Sequence, residues 1–78
     1  MKIVVLDARK FENKEVSHEY LKKVFVFPEY YGNNLDALAD CLSEIQGLRL
    51  VVIHTEEAGD YYEKVLPVFR DSAELVIV

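Results

Sequence analysis

The sequence is poor in the residues on which disulfide-stabilised proteins and many enzymes depend. Its 78 residues include one cysteine, two histidines, three glycines and no tryptophan. The single cysteine, Cys41, excludes an internal disulfide, and no basic start followed by an apolar stretch suits a signal for export. The longest largely apolar runs, Leu48–Ile53 and Leu75–Val78, are too short to cross a bilayer. We therefore expect one cytoplasmic domain over residues 1–78 with no membrane partner.

Basic residues are also scarce. Fourteen acidic residues against nine basic ones give a formal net charge of −5, which argues against a nucleic-acid partner. No lysine or arginine occurs between Lys23 and Arg49. Four acidic residues fall in this gap, namely Glu29, Asp36, Asp40 and Glu44. This segment can therefore present a negative field to a cationic partner.

What the sequence does contain is an alternation of short apolar runs and helical patterns. The apolar runs predict strands at Ile3–Leu6, Arg49–Ile53 and Glu74–Val78. Between them we predict a helix capped by Asn13, a second helix over Leu35–Gln46 and a third over Tyr61–Ser72. Strands separated by helices favour a parallel sheet with right-handed crossovers. The prediction is an α/β fold, a small three-stranded parallel sheet covered by about three helices.

Three details of these helices are also predicted. The first helix should turn Val16, Tyr20, Leu21 and Val24 inward, which leaves His18 solvated on its flank. The second should end at the stop signal Gly47. Pro67 lies inside the third helix and predicts a kink or a split there.

Residues for catalysis are few. His54 follows the second predicted strand together with Glu56 and Glu57, at the strand end where α/β folds often place ligands. A polar loop is the more common explanation of such a group. No glycine loop for phosphate and no paired metal-ligand spacing is present. We therefore predict a protein that is not an enzyme and uses no cofactor or metal. The alternative is a small metal-dependent or acid–base enzyme using these three residues.

The outer side of the second predicted helix is acidic. A carboxylate at Asp36 is favoured by the helix dipole, but Asp40 lies four residues from both Asp36 and Glu44. Each such like-charge pair costs a few tenths of a kcal/mol, roughly. The sequence tolerates this cost, which suggests that a negative surface is required. The alternative is a solvated acidic face without a partner.

An aromatic loop precedes this helix. Tyr30 and Tyr31 are followed by Gly32, Asn33 and Asn34, and two consecutive tyrosines cannot both be buried easily. Tyrosine is common at protein interfaces because it offers rigid apolar area with a polar tip. In the alternative, Tyr31 packs inward and Tyr30 covers the start of the helix. Together, the loop and the acidic helix predict a binding surface for a basic protein.

The stretch Pro28–Leu42, with the sequence PEYYGNNLDALADCL, closely resembles the signature of the barstar family of ribonuclease inhibitors. The resemblance continues more weakly at 65–71, at Leu75–Val78 and around His18. Between Ile53 and Val65 the chain is shorter than in that family, where an additional short helix lies. The resemblance implies an intracellular monomer that binds, one to one, the active site of a secreted basic ribonuclease.

The resemblance also implies roles for individual residues. Asp40 would occupy the site of the substrate's phosphate, Asp36 would pair with an arginine of the enzyme, and Tyr30 would pack against its catalytic histidine. The remaining predicted binding residues are Tyr31, Gly32, Asn34, Leu35, Ala39, Ser43 and Asp71. Ala39 stands where the family has a tryptophan, and Asp71 where it has a glutamate. These departures leave open that the target is another basic nuclease toxin, against which the protein confers immunity.

Overall fold

A computed structural model describes all 78 residues and contains one sheet of three parallel strands. The strands are β1 (Lys2–Asp7), β2 (Leu48–Ile53) and β3 (Glu74–Ile77), with β2 in the centre. Val4 is paired with Leu50, and Leu50 in turn with Leu75. The observed sheet confirms the predicted α/β class, and the strand order follows the chain.

Three α-helices connect the strands: α1 (Lys14–Phe25), α2 (Leu35–Ser43) and α3 (Tyr62–Ser72). Two short 3-10 turns lie at Ala8–Lys10 and Thr55–Glu57. The predicted cap of α1 is confirmed, since Oδ1 of Asn13 accepts a hydrogen bond from the backbone N–H of Val16 at 2.9 Å. Pro67 does not split α3, which continues through it from Tyr62 to Ser72. The carbonyl deprived of a donor by Pro67 belongs to Glu63, an exposed residue that water can reach.

The second helix is one turn shorter than predicted. It ends at Ser43, whereas the prediction extended it to Gln46. The hydroxyl of Ser43 donates to the carbonyl oxygen of Asp40 at 2.7 Å. The N–H groups of Glu44 and Ile45 donate to the carbonyl oxygens of Cys41 and Leu42 at 3.4 and 3.0 Å, and these three-residue backbone spacings tighten the chain beyond the α-helical pitch. Gly47, at φ +64°, then turns it into β2.

All three helices cover the same face of the sheet, because both right-handed crossovers run in the same direction across it. Alternate strand residues point into this covered face. The buried strand residues are Val4, Leu6, Leu48, Leu50 and Val52, and the helices add Leu21, Phe25, Leu38, Leu42, Val65 and Phe69. The opposite face carries no helix. We call it the open sheet face, and its residues are Ile3, Val5, Asp7, Arg49, Val51, Ile53, Glu74 and Val76.

The inward side of α1 differs from the prediction. Val16 is exposed, and the buried residues are Ser17, His18, Leu21 and Phe25. His18 is therefore fully buried, and the prediction that it is solvated was wrong. Positions 18, 21 and 25 follow the i, i+3, i+7 spacing of one helix face. The polar atoms of His18 tolerate burial because tyrosine hydroxyl groups pair with both ring nitrogens.

The short connection between β2 and α3 contains one 3-10 turn, so the additional short helix of the family is reduced here, in line with the shorter segment. After this turn the chain runs against the segment that follows β1. The N–H of Gly59 donates to the carbonyl oxygen of Ala8 at 3.1 Å, and that of Tyr61 to the carbonyl oxygen of Phe11 at 3.0 Å. A Cβ at position 59 would overlap the backbone of Phe11, so this close approach requires glycine.

No helix in the structure has both the length and the apolar character needed to cross a membrane.

Candidate protein-binding surface

The loop between α1 and α2 separates its two tyrosines. A turn forms where the N–H of Tyr31 donates to the carbonyl oxygen of Pro28 at 2.9 Å. Tyr30 is 87% exposed, whereas Tyr31 is 5% exposed. The ring of Tyr31 packs on Phe27 with 4.7 Å between the ring centroids. The side chain of Tyr31, included among the predicted binding residues, thus faces the interior, and Tyr30 alone presents an aromatic ring to solvent.

Tyr31 is held in place by a hydrogen bond with a buried histidine. Nδ1 of His18 lies 2.6 Å from the hydroxyl oxygen of Tyr31, and its Nε2 lies 3.0 Å from that of Tyr61. A neutral imidazole donates from one nitrogen and accepts at the other, so it satisfies one hydroxyl group in each direction. Burial, with a smaller effect from Lys14, lowers the pKa of His18, and burial raises the pKa of Tyr31 well above its ordinary value. The network is therefore neutral at pH 7.

This network was missed by the sequence prediction. It joins α1, the loop and the start of α3, because Tyr61 occupies the position immediately before that helix. The spacing of His18, Leu21 and Phe25 could have indicated that the histidine is buried. No local pattern could have paired it with Tyr61, which is 43 residues away in the chain.

The junction of the loop and α2 is fixed by one asparagine. Oδ1 of Asn34 accepts from the N–H of Ala37 at 2.8 Å, and its Nδ2 donates to the carbonyl oxygen of Gly32 at 3.1 Å. A Cβ at Gly32 would lie 3.1 Å from that same Nδ2 atom, tighter than most real contacts. Gly32 and Asn34 therefore set the direction in which the loop enters the helix.

The carboxylates on the outer side of α2 form no ion pair. We define the acidic face as Asp36, Asp40, Ser43 and Glu44, all of which are exposed. The protein's three ion pairs lie elsewhere: Arg9–Asp7, Lys22–Glu29 and Arg49–Glu74. The opposite side of the helix is anchored in the core by Leu38 and Leu42. The helix thus holds three unpaired carboxylates on a rigid support.

A groove of about 440 Å³ separates Tyr30 from the acidic face. Phe27, Pro28 and Tyr30 form its aromatic and apolar side, and Asp40 and Glu44 its acidic side. Lys2 also lines the groove and is the one basic residue in it. Cys41 also lines the groove, and burial together with these two carboxylates raises the pKa of its thiol. A thiol with a raised pKa is a poor nucleophile.

The other predicted binding residues lie around this centre. Leu35 and Ala39 are half-buried on α2. Asp71 is exposed on α3, a helix that packs against α2. The structure therefore places the predicted binding residues in the loop and on these two neighbouring helices. Tyr31 is buried, Leu35 and Ala39 are half-buried, and the others are exposed.

His54, Glu56 and Glu57 form a separate cluster at the carboxyl end of β2. One ligand atom from each lies within 4.8 Å of the others, so the three could meet a single cation. Both glutamates are exposed. Arg9 is close enough to Glu57 for that carboxylate to contribute to the raised pKa of the guanidinium, after the larger effect of Asp7.

Two comparisons with known proteins bear on this surface. Residues 1–76 match the family model described as Barstar (barnase inhibitor). A protein of Bacillus subtilis (strain 168), named "Putative ribonuclease inhibitor YrdF", is 40% identical over 80 residues, which cover 95% of this chain and 88% of that protein.

Proposed function

The chain belongs to the barstar family, and from this we propose that it inhibits a basic ribonuclease by covering its active site with Tyr30 and the acidic face. The observation that carries the proposal is the set of unpaired carboxylates at Asp36, Asp40 and Glu44 beside an exposed aromatic ring. The repulsion between like charges along the helix costs roughly a few tenths of a kcal/mol per pair, which a cationic partner would relieve.

The charge pattern suits a nuclease target. A ribonuclease active site is cationic because it holds the phosphates of its substrate. Carboxylates fixed on α2 can occupy the same positions without presenting a bond to cleave. Opposite fields speed the encounter, and charge pairs excluded from water slow dissociation.

We assign the central roles to three side chains. Asp40, next to the groove, replaces a phosphate of the substrate. Asp36, one turn earlier on α2, pairs with an arginine of the enzyme, and Tyr30 stacks on its active-site histidine. The contacts around this centre come from Gly32, Asn34, Leu35, Ala39, Ser43 and, on α3, Asp71. Tyr31 contributes by holding the loop rather than by contact of its side chain.

The same proposal extends to the biological setting. The inhibitor acts in the cytoplasm and protects its own cell from a nuclease that the cell secretes. One chain covers one enzyme without a cofactor. Ala39 leaves space beside Asp40, which favours a nuclease other than barnase as the cognate target.

A pair of substitutions tests the proposal. Asp40→Ala should weaken inhibition by about 2 kcal/mol or more, because this is the cost of removing one partner of a buried charge pair. The measurements that define this cost include the barnase–barstar complex itself. Its melting temperature should be unchanged or slightly higher, because two repulsions disappear and alanine favours a helix.

Glu19→Ala is the matched control, since it removes one exposed carboxylate from α1. It changes the net charge equally and should inhibit as the wild type does. The readouts are ribonuclease inhibition, with barnase as the first enzyme, and thermal melting. Equal inhibition by Asp40→Ala and Glu19→Ala would contradict the role of the acidic face.

The cluster of His54, Glu56 and Glu57 supports a second candidate, a metal-dependent activity, because its ligand atoms converge. Titration with Zn²⁺, followed by the NMR signals of His54, tests it. Unchanged NMR signals of His54 would exclude this candidate. A saturable shift of those signals, together with hydrolysis that depends on Zn²⁺, would favour a metal-dependent activity over inhibition.

A further inference from the structure

The open sheet face is unusual for a parallel sheet. Parallel sheets normally have both faces covered, because βαβ crossovers place helices on them. Here Ile3 is 57% exposed and Val5 is 55% exposed, and Val76 is also exposed. Together with Val51 and Ile53 these side chains form one contiguous apolar surface across all three strands.

Charge on this face is balanced. Its ionised residues are all paired: Arg49 with Glu74 at 3.1 Å, and Asp7, at the end of β1, with Arg9 of the adjacent turn at 2.8 Å. The chain as a whole has a net charge of −5, and the acidic face lies on the helical side. Two copies that met through their helices would repel each other, whereas two open sheet faces bring no net charge together.

We propose that the open sheet face is a self-association surface, through which two copies pack their sheets back to back. The occupant is a second copy, because a charged partner gains nothing from a neutral apolar face, and an identical one matches it. Face-to-face sheets pack about 10 Å apart with interdigitated side chains. The arrangement leaves both acidic faces outward, so a dimer can hold two enzymes at once.

The size of the face sets the strength of the association. Three strands about 4.8 Å apart and about 20 Å long give a projected area of roughly 300 Å². Two such faces have a projected area of roughly 600 Å². Accessible surface follows each side chain and exceeds the projected area, so they would bury between about 600 and 1,000 Å², at or below the lower limit for a specific interface. The dimer is therefore weak. The protein is a monomer at assay concentrations, as the resemblance implies, and a dimer when concentrated.

Sedimentation velocity from about 5 µM to about 500 µM measures this association in the range expected for a small interface. The wild type should change from monomer to mostly dimer. Val5→Lys should weaken association at least ~10-fold, because a lysine would have to be buried against apolar side chains. Val5→Thr keeps the strand propensity and the volume of valine, and it should weaken association less than Val5→Lys does. This variant provides the test if Val5→Lys folds poorly.

Val26→Lys is the matched control. Val26 is 84% exposed at the end of α1, so this variant makes the same substitution, with the same change of charge, away from the open sheet face. It should dimerise as the wild type does. A wild type that stays monomeric at the highest concentration overturns the proposal. Equal association of Val5→Lys and the wild type, or equal losses in Val5→Lys and Val26→Lys, also overturns it.

Discussion

Tyr30 and Tyr31 follow one another in the same loop, yet the first is 87% exposed and the second is 5% exposed. Tyr31 contacts Phe27 and His18 and belongs to the core. Tyr30 borders the groove beside Asp40 and adds no comparable packing. We call Tyr31 and the residues that hold it, His18 and Phe27, the supporting layer, which determines stability. We call Tyr30 and the outer side of α2, with its acidic face and Ala39, the contact layer, which is free to determine binding. Substitutions in the two layers should therefore have opposite signatures.

The largest expected effect is that of Tyr31→Ala on stability. Removing a buried aromatic ring typically costs about 3–5 kcal/mol, and here it also leaves Nδ1 of His18 without its hydroxyl partner. Urea unfolding should show this loss. Tyr30→Ala should change the free energy of unfolding by less than about 0.5 kcal/mol but weaken inhibition. Similar unfolding curves for the two variants would contradict the division into layers.

Salt should act on the contact layer alone. We expect the association rate with a basic ribonuclease to fall about tenfold between low and high salt, because screening removes the attraction of the acidic face. The melting temperature should change little over the same range. Stopped-flow association measures the rate. A rate that is independent of salt would mean that Asp36, Asp40 and Glu44 are ordinary solvated side chains.

The first effect of lowering the pH should be a loss of stability that arises in the supporting layer, at His18. The pKa of His18 is lowered by burial, so the unfolded state binds this proton more readily. The stability contributed by neutral His18 is thus complete above about pH 6.5, its unfolded pKa, and falls as the pH drops toward the folded value. The loss approaches about 1.4 kcal/mol per pH unit at most. Melting curves between pH 7.5 and 5.5 should show it.

His18→Gln separates this effect from general acid sensitivity, since glutamine does not titrate. The variant should be less stable at pH 7.5 but have a flatter pH dependence down to pH 5.5. Asp7 acts in a different window. Its hydrogen bonds with Arg9 lower its pKa to about 2, so its contribution is present above pH 4 and is lost below it. An unchanged slope in His18→Gln would remove His18 as the origin.

The contact layer was more accessible to sequence reasoning than the supporting layer. Asp36, Asp40 and Tyr30 stand in one continuous segment, where helical spacing and the family resemblance both apply. The caps at Asn13 and the three strands also follow from local patterns. These features depend on residues that are close in the chain.

Contacts between distant residues could not be predicted. The hydrogen bond of His18 with Tyr61 spans 43 residues, and the close passage of Gly59 depends on the backbone of Phe11. These two contacts leave no periodic signal, since they are set by tertiary packing. The early end of α2 has a local cause instead, because the hydroxyl group of Ser43 donates to the carbonyl oxygen of Asp40 and so competes for a helix carbonyl.

The smallest expected effect concerns the edge of the contact layer at Ala39. This residue is half-buried on α2 beside the exposed Asp40 and stands where the resemblance implies a tryptophan. A cognate enzyme should fill the space with a larger side chain or with ordered water. Ala39→Trp should therefore improve binding to barnase by about 1 kcal/mol and impair binding to the cognate enzyme, since added bulk clashes in a matched interface. Calorimetry against both enzymes measures the two changes. If neither affinity changes, position 39 lies outside the interface, and the rotation of α2 assumed for Asp36 and Asp40 is wrong.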